Sequence, residues 1–449
     1  MNTMTKLAVG MMGIALHGAA TASESSEKAR CLALSDISQA ESCLRASEQY
    51  LGRVARGVDG QNVLADKPTR IEGDYAEYLG DNLSGIQSPL LAKALENEGK
   101  KLVVRVGAPD PVSGAYAVYL SSSDDGQKDY QGAVLASNQG SEITGRDIVS
   151  WYNRARLGEG YVLISSLTHG ISDFHAVSKG GKYEAAFLGL EKAEKFGILE
   201  VQYLYALNEP GGESRVYDLG GETNRLSLSL TNWMDPSLSL KNQISYTHRE
   251  QDFGSFSLTE TQKFWMYRPV ITYSNGVSSV SLSLSKGLGG TQDYNLIPLM
   301  GTFNPHFWSG QIDGSTRISL PENVMLNARI SGFTGSEDMP SSERFRLGGS
   351  GAGSSHENGI YSGYEGFSYE IEASKYLGQY RGISFLTKLG LNGANVVTAT
   401  DNKLGVNAGQ IGLSARYQNF TVDTSWSRSL STKGLDADSR AAIELAWRY

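Results

Sequence analysis

The feature that most constrains this chain is a series of short segments in which every second residue is large and apolar and the residues between are small and polar. Leu226, Leu228 and Leu230 are separated by serines, as are Val280, Leu282 and Leu284; Val324, Leu326, Ala328 and Ile330 repeat the pattern. Val201, Tyr203, Tyr205 and Leu207 follow the same rule, as do Ile411, Leu413, Ala415 and Tyr417, then Phe420, Val422 and Trp426, and finally Ile443, Leu445, Trp447 and Tyr449. Side chains two apart share one face of a strand, so each segment has one apolar and one polar face. Clusters of Gly, Asn, Asp and Ser lie between them and mark turns.

These segments predict strands near 115–120, 129–137, 160–168, 181–189, 198–206, 224–232, 238–247, 263–274, 277–286, 309–319, 323–332, 366–374, 382–391, 409–417, 420–429 and 440–449. That makes about sixteen, an even number, as bacterial single-chain membrane barrels require. A soluble sandwich or solenoid is the competing architecture. Its inward faces would not normally carry Ser, Gly, Asn, Lys and Arg, whereas a water-filled lumen accepts them. The expected fold is an all-β membrane protein: a transmembrane antiparallel β-barrel over 113–449, preceded by a short helical and periplasmic segment. With 20% charged residues, no stretch past the N-terminus approaches the ~20 apolar residues of a spanning helix. The 52 glycines and 23 tyrosines, against 11 prolines, suit curved strands, turns and interfacial aromatic girdles.

Lys6, the apolar run from Leu7 to Leu16, and Ala20-Thr21-Ala22 have the order of a secretory signal, with cleavage expected after Ala22. A single membrane anchor would need a longer run, and no cysteine follows the apolar core directly, as a lipoprotein would require. In 23–67, Ser35 to about Arg56 reads as an amphipathic helix through Ile37, Ala40, Leu44, Ala46 and Leu51, with Ser35 and Asp36 as caps and Gly57 to Pro68 as linker. Cys31 and Cys43 are expected to be bonded, in a compartment that permits disulfides. Eleven residues separate them, too far for one straight helix at ~1.5 Å per residue, so the segment before Ser35 must fold back. Residues 68–112 read as a small periplasmic module with a helical piece from Pro89 to Glu98 and a strand from Lys101 to Val106.

Catalytic chemistry is not expected. There is no nucleophile elbow, phosphate loop or metalloprotease helix. Of the six histidines, His17 lies in the signal, while His169, His175, His248, His306 and His356 are scattered. His169 and His175 would approach a metal only if the turn between them folded suitably, so neither metal nor cofactor is expected. The net charge is −8 with dispersed basic residues, which argues against a nucleic-acid partner.

One segment carries a family resemblance. Pro340-Ser341-Ser342-Glu343-Arg344-Phe345-Arg346-Leu347-Gly348-Gly349, running without a gap through Gly359 and on to Ser362-Gly363 and Gly366-Phe367, resembles the sixth extracellular loop of the TpsB transporters of two-partner secretion. These are the haemolysin and filamentous-haemagglutinin exporters of the POTRA-barrel superfamily. Tyr217-Asp218-Leu219-Gly220-Gly221, Asn224-Arg225-Leu226 and Ser178-Lys179-Gly180-Gly181-Lys182-Tyr183 are similar to TpsB barrel text. The strand tally agrees, with eleven expected before this loop and five after it.

The resemblance implies an outer-membrane pore that exports one secreted polypeptide, with outer-membrane lipid and the barrel-assembly machinery as further partners. A passive porin-like channel or solute-binding barrel that kept the pore and lost its receptor is the alternative, and an adhesion barrel a third. The resemblance also implies that loop 340–363 folds inward. Its motif residues here are Arg344, Phe345, Leu347, Gly348, Gly349, Ser354, His356, Glu357 and Gly359. The family's loop arginine is replaced by Ser354, and its partner aspartate, judged from Gly390, by Lys388. Either Glu357 pairs with Lys388 as a charge-reversed pin, or the loop is unpinned and Lys388 is one more lumen charge. Where the family has a plug helix and two POTRA domains, the resemblance leaves here the Ser35 to Arg56 helix as the plug candidate, and the Lys101 to Val106 strand as either the edge of a reduced POTRA-like unit or the lead-in to the barrel. Leu445, Trp447 and Tyr449 resemble the terminal aromatic signal that the assembly machinery reads.

Overall fold

The computed structural model describes residues 53–56, 62–65, 70–78, 89–106, 117–141, 145–171, 181–210, 217–301 and 303–449. The expected signal segment and both cysteines, Cys31 and Cys43, lie outside the described residues. Of the helix expected over Ser35 to Arg56, the last four residues are instead a strand, β1 (Arg53–Arg56). It pairs antiparallel with β2 (Asn62–Ala65), inside the expected linker. No apolar periodicity announces this pairing.

The first compact unit contains a three-stranded sheet of β3 (Arg70–Gly73), β4 (Lys100–Val106) and β5 (Ala117–Asp124). β5 is central, parallel to β3 and antiparallel to β4. Val118 and Leu120 on β5 are buried, as is Leu91 of the helix α1 (Pro89–Glu98). Gly73 has φ +109°, and a Cβ there would sit 1.9 Å from the Leu120 carbonyl oxygen, so only glycine lets the two strands approach.

The second unit is a closed barrel of sixteen strands, each antiparallel to its neighbours. Eleven precede the long loop: β6 (Tyr130–Ser137), β7 (Asp147–Gly158), β8 (Tyr161–Ile171), β9 (Lys182–Glu194), β10 (Gly197–Glu209), β11 (Leu219–Asp235), β12 (Leu238–Phe253), β13 (Leu258–Ser274), β14 (Ser278–Tyr294), β15 (Trp308–Leu320) and β16 (Val324–Gly335). The loop holds its own hairpin, β17 (Phe345–Leu347) and β18 (Tyr361–Gly363). Five strands follow: β19 (Glu365–Tyr380), β20 (Ile383–Val397), β21 (Lys403–Tyr417), β22 (Phe420–Lys433) and β23 (Ser439–Arg448). The strand expected near 115–120 is β5 of the small sheet, so the barrel starts at Tyr130 and not at 113. In its place stands β7, which alternation missed because Trp151 and Tyr152 put aromatics on both of its faces.

The burial pattern is inverted relative to a water-soluble protein. Leu226 and Leu228 face outward at 51% and 46% exposure, while Ser227 and Ser229 face inward at 4% and 3%. Outward leucines are stable only if hydrocarbon replaces water around the wall. A closed ladder also leaves no unpaired backbone group to the lipid. Strands β11 to β14 run 16 or 17 residues, beyond the ~9–11 that cross a bilayer. Their outward faces turn polar at Asn224, His248 and Lys263, so this part of the wall extends past the apolar band.

The two rims differ. On the rim that holds Tyr130 and Tyr449 the hairpins are tight, with Glu159-Gly160 and Arg381-Gly382 both left-handed (φ +51°, +75° and +49°, +82°). That backbone matches the twist of paired strands. The opposite rim carries the longer connections, including 295–307 and 336–364. The barrel closes where β23 meets β6, in a ladder of five pairs from Glu444–Ser137 to Arg448–Ala133. Tyr449 extends this seam through backbone bonds with Gly132 (3.0 and 3.2 Å). Its hydroxyl accepts from Trp151 Nε1 (2.5 Å) and donates to Asn153 Oδ1 (2.8 Å), and its ring lies 5.0 Å from that of Trp447.

Candidate functional site

Loop 336–364 turns into the lumen because its sequence lets the backbone do so. Gly348, Gly349, Gly351, Gly353 and Gly359 all have positive φ, from +67° to +106°. A Cβ on Gly348 would stand 2.0 Å from the Glu357 carbonyl oxygen, and one on Gly353 2.3 Å from Val406 Cγ1. The loop therefore doubles back on itself and against β21 at distances that side chains would forbid.

One end of the loop is fastened to β11–β13. Ser341–Glu343 form a single 3-10 turn that places the Glu343 carboxylate between two arginines. Arg225 Nη2 donates to Oε1, and Arg268 Nη2 donates to Oε2 at 2.6 Å. The Glu343 side chain is 3% exposed. Burial alone would raise its pKa, but the two guanidiniums outweigh that and hold it below the ordinary carboxylate value. Each arginine is aimed by a wall hydroxyl: Arg225 Nε donates to Thr247 Oγ1 (3.0 Å) and Arg268 Nε to Ser285 Oγ (2.8 Å). Arg249 Nη1 adds a bond to Ser341 Oγ at 2.6 Å.

The other end reaches the far wall, seven steps round the barrel order from β12 to β21. Asn392 Oδ1 accepts from the Ser354 amide and Asn392 Nδ2 donates to Ser354 Oγ, both at 2.8 Å, while Ser427 Oγ donates to the Ser354 carbonyl (2.7 Å). Ser355 Oγ meets Ser429 Oγ at 2.9 Å. His356 Nε2 lies 3.1 Å from the Asp436 carbonyl oxygen; a carbonyl only accepts, so Nε2 carries a proton. His356 Nδ1 then faces Ser355 Oγ at 3.0 Å. Below this network Leu347, fully buried, packs with Ala394, Val396 and Val406.

The site residues expected from sequence fall into two groups. Ser354, His356, Leu347, Gly348, Gly349 and Gly359 lie in the loop's folded interior or its turns. Phe345 stands 6.1 Å from Phe333, and half-buried Arg344 donates to the Glu337 carbonyl (3.3 Å), its pKa lowered by burial. Lys388 and Glu357 do not meet. Lys388 Nζ pairs with Asp423 Oδ1 at 3.0 Å, and Glu357 is 4.0 Å from Arg146 Nε. The charge-reversed pin is thus absent, because the wall position opposite Ser354 is Asn392, four residues along the same inward face of β20. Glu343, Arg225, Arg268 and Asn392 were not singled out from sequence as partners. A signal for Arg225 was present, since it stands at the inward position two before Ser227 and Ser229.

No family model matches the chain, and no curated protein matches it. Among solved structures it is similar to CdiB from Escherichia coli (TM-score 0.67, 15% identity, covering 96% of this chain and 89% of that one). It is also similar to CdiB from Acinetobacter baumannii (0.64, 14%, 92% and 81%). BamA from Haemophilus ducreyi lacking POTRA domains 1–3 follows (0.56, 10%, 92% of each). At these identities the likeness shows the fold alone, a closed sixteen-stranded barrel of the kind found in CdiB and BamA.

Proposed function

We propose that this chain is an outer-membrane translocation pore that passes a secreted polypeptide outward through its lumen in the manner of the TpsB transporters. The observation that carries the reading is that polar groups bind the loop to opposite walls, with apolar contacts confined to the patches at Leu347 and Met339. A permanently closed core would be cheaper to build from apolar contacts, whereas hydrogen bonds and one ion cluster can be exchanged for water when the loop moves. The inward faces are rich in serine, including Ser227, Ser229, Ser245, Ser285 and Ser427, and their buried apolar side chains gather in the patches around Phe264 and Leu347. The tight-turn rim with both barrel ends faces the periplasm and the long loops face out, as in other outer-membrane barrels. The three-stranded sheet supports a reduced POTRA-like receptor. Among the described residues β3 and β4 are its edges, where an extended cargo segment would add as a further strand.

The test is secretion by whole cells. A periplasmic candidate polypeptide, co-expressed with this chain, should reach the medium, and should stay in the periplasm when 70–124 are deleted. Diffusion of small solutes through the parent at rates typical of porins, with no polypeptide released, would favour the passive channel and refute export.

A further inference from the structure

Loop 336–364 is not the only segment that enters the lumen. Between β14 and β15, residues 295–301 and 303–307 are described, and they bring Phe303 and Phe307 onto Phe264 and Met266 of β13's inward face, where they meet Met339 from the long loop. Phe264, Phe307 and Met339 are no more than 1% exposed. The two segments are also bonded directly, Asn304 N–H donating to the Asp338 carbonyl at 2.8 Å. Neither can leave without stripping apolar surface from the other.

A carboxylate holds the first of them in place. Glu260, on β13 where the wall extends past the apolar band, is 1% exposed. Its Oε2 accepts from the Met300 backbone N–H (2.7 Å), and its Oε1 accepts from Gln262 Nε2 (2.8 Å) and Gln292 Nε2 (2.7 Å). Gln292 in turn donates to the Gly301 carbonyl (2.7 Å) and accepts from Phe303 N–H (3.2 Å). Among the described residues no cation stands within ion-pair distance of Glu260. A carboxylate buried on neutral donors alone is costly, and here its bonds go to the segment that has to stay folded in.

We propose that residues 295–307 are a second strap across the outer mouth of the pore, that strap and long loop open as one gate, and that Glu260 is the positioning residue that latches it. This rests on the translocation-pore reading. Glu260→Gln is selective by chemistry: its amide oxygen still accepts from the two glutamines, but its NH2 then faces the Met300 N–H, donor against donor.

The test is single-channel recording of the full chain in planar bilayers, with heat-modifiable migration confirming barrel closure. E260Q should open about tenfold more often than the parent, with migration unchanged. Paired cysteines at Asn304 and Asp338 should lose openings at least about tenfold on oxidation and regain them with reductant. The parent under both conditions controls for Cys31 and Cys43. E260Q joined to the oxidised pair should stay shut. Three results overturn the proposal: an oxidised pair that opens like the reduced one, E260Q gating like the parent, or no openings in either redox state. Gating that obeys the crosslink in a chain that exports nothing would refute translocation and leave the strap standing.

Discussion

Glu343→Gln removes the charge that Arg225 and Arg268 share and leaves two guanidiniums facing a neutral amide. Breaking a buried ion pair by deleting one partner costs about 3–5 kcal/mol. Here the arginine side chains are 24% and 30% exposed, so water relieves part of the loss and the lower end applies. About 3 kcal/mol is a roughly 150-fold shift in the docking equilibrium of the loop. Single-channel recording should show a corresponding rise in open probability, and protease should cut within 340–363 in intact membranes where the parent is protected. In a double-mutant cycle, Glu343→Ala with Arg225→Ala should cost less than the sum of the single changes. The acid response has a definite sign. The folded Glu343 pKa lies below the ordinary value, so its contribution is fully present above the unfolded carboxylate pKa of about 4.3. It is lost only as pH falls through the lower folded pKa. Gating should therefore be flat from neutral pH to about 5 and rise only in stronger acid. A Glu343→Gln chain with parental open probability and protection would refute the claim that this cluster holds the loop.

Further outcomes are expected. Asn392→Ala should loosen the loop by about 1–3 kcal/mol through the unsatisfied Ser354 groups, whereas Glu357→Lys and Lys388→Glu, made singly or together, should show no coupling in conductance because the two side chains pair elsewhere. Gly353→Ala places a Cβ on Val406 at positive φ and should raise open probability without altering heat-modifiable migration, which a folded-barrel assay checks directly. Replacing Tyr449 and Trp447 by Ser should lower the membrane yield of assembled barrel several-fold, since the seam has only five ladder pairs before Tyr449 and loses its bonds to Trp151 and Asn153; unchanged yield would refute the seam argument.

How much was legible in the sequence can be read from particular strands. Leu226, Leu228 and Leu230 between serines declare the strand and its two unlike faces, because side chains two apart share a face; that the apolar face is the outer one follows from barrel closure. β7 does not show in the alternation because Trp151 and Tyr152 are adjacent, and β5 reads like a barrel strand because a strand's pattern does not say which sheet it joins. The sixteen-strand count and the eleven-to-five division around the loop nevertheless agree with the structure.

What the residue order settled alone is therefore local and periodic: strand or turn, apolar face or polar face, and the glycines that let the 348–359 backbone double back. What it left open was every contact between elements far apart in the chain. Glu343 meets Arg225 and Arg268 across 118 and 75 residues, and Asn392 meets Ser354 across 38. Opposite charge made Lys388 one possible partner for Glu357, beside an unpinned loop, but charge is visible in a sequence while register is not, and Glu357 meets Arg146 instead. Barrel closure sets that register by placing β11–β13 opposite β20–β22, and a one-residue slip in any ladder would turn these partners to the lipid.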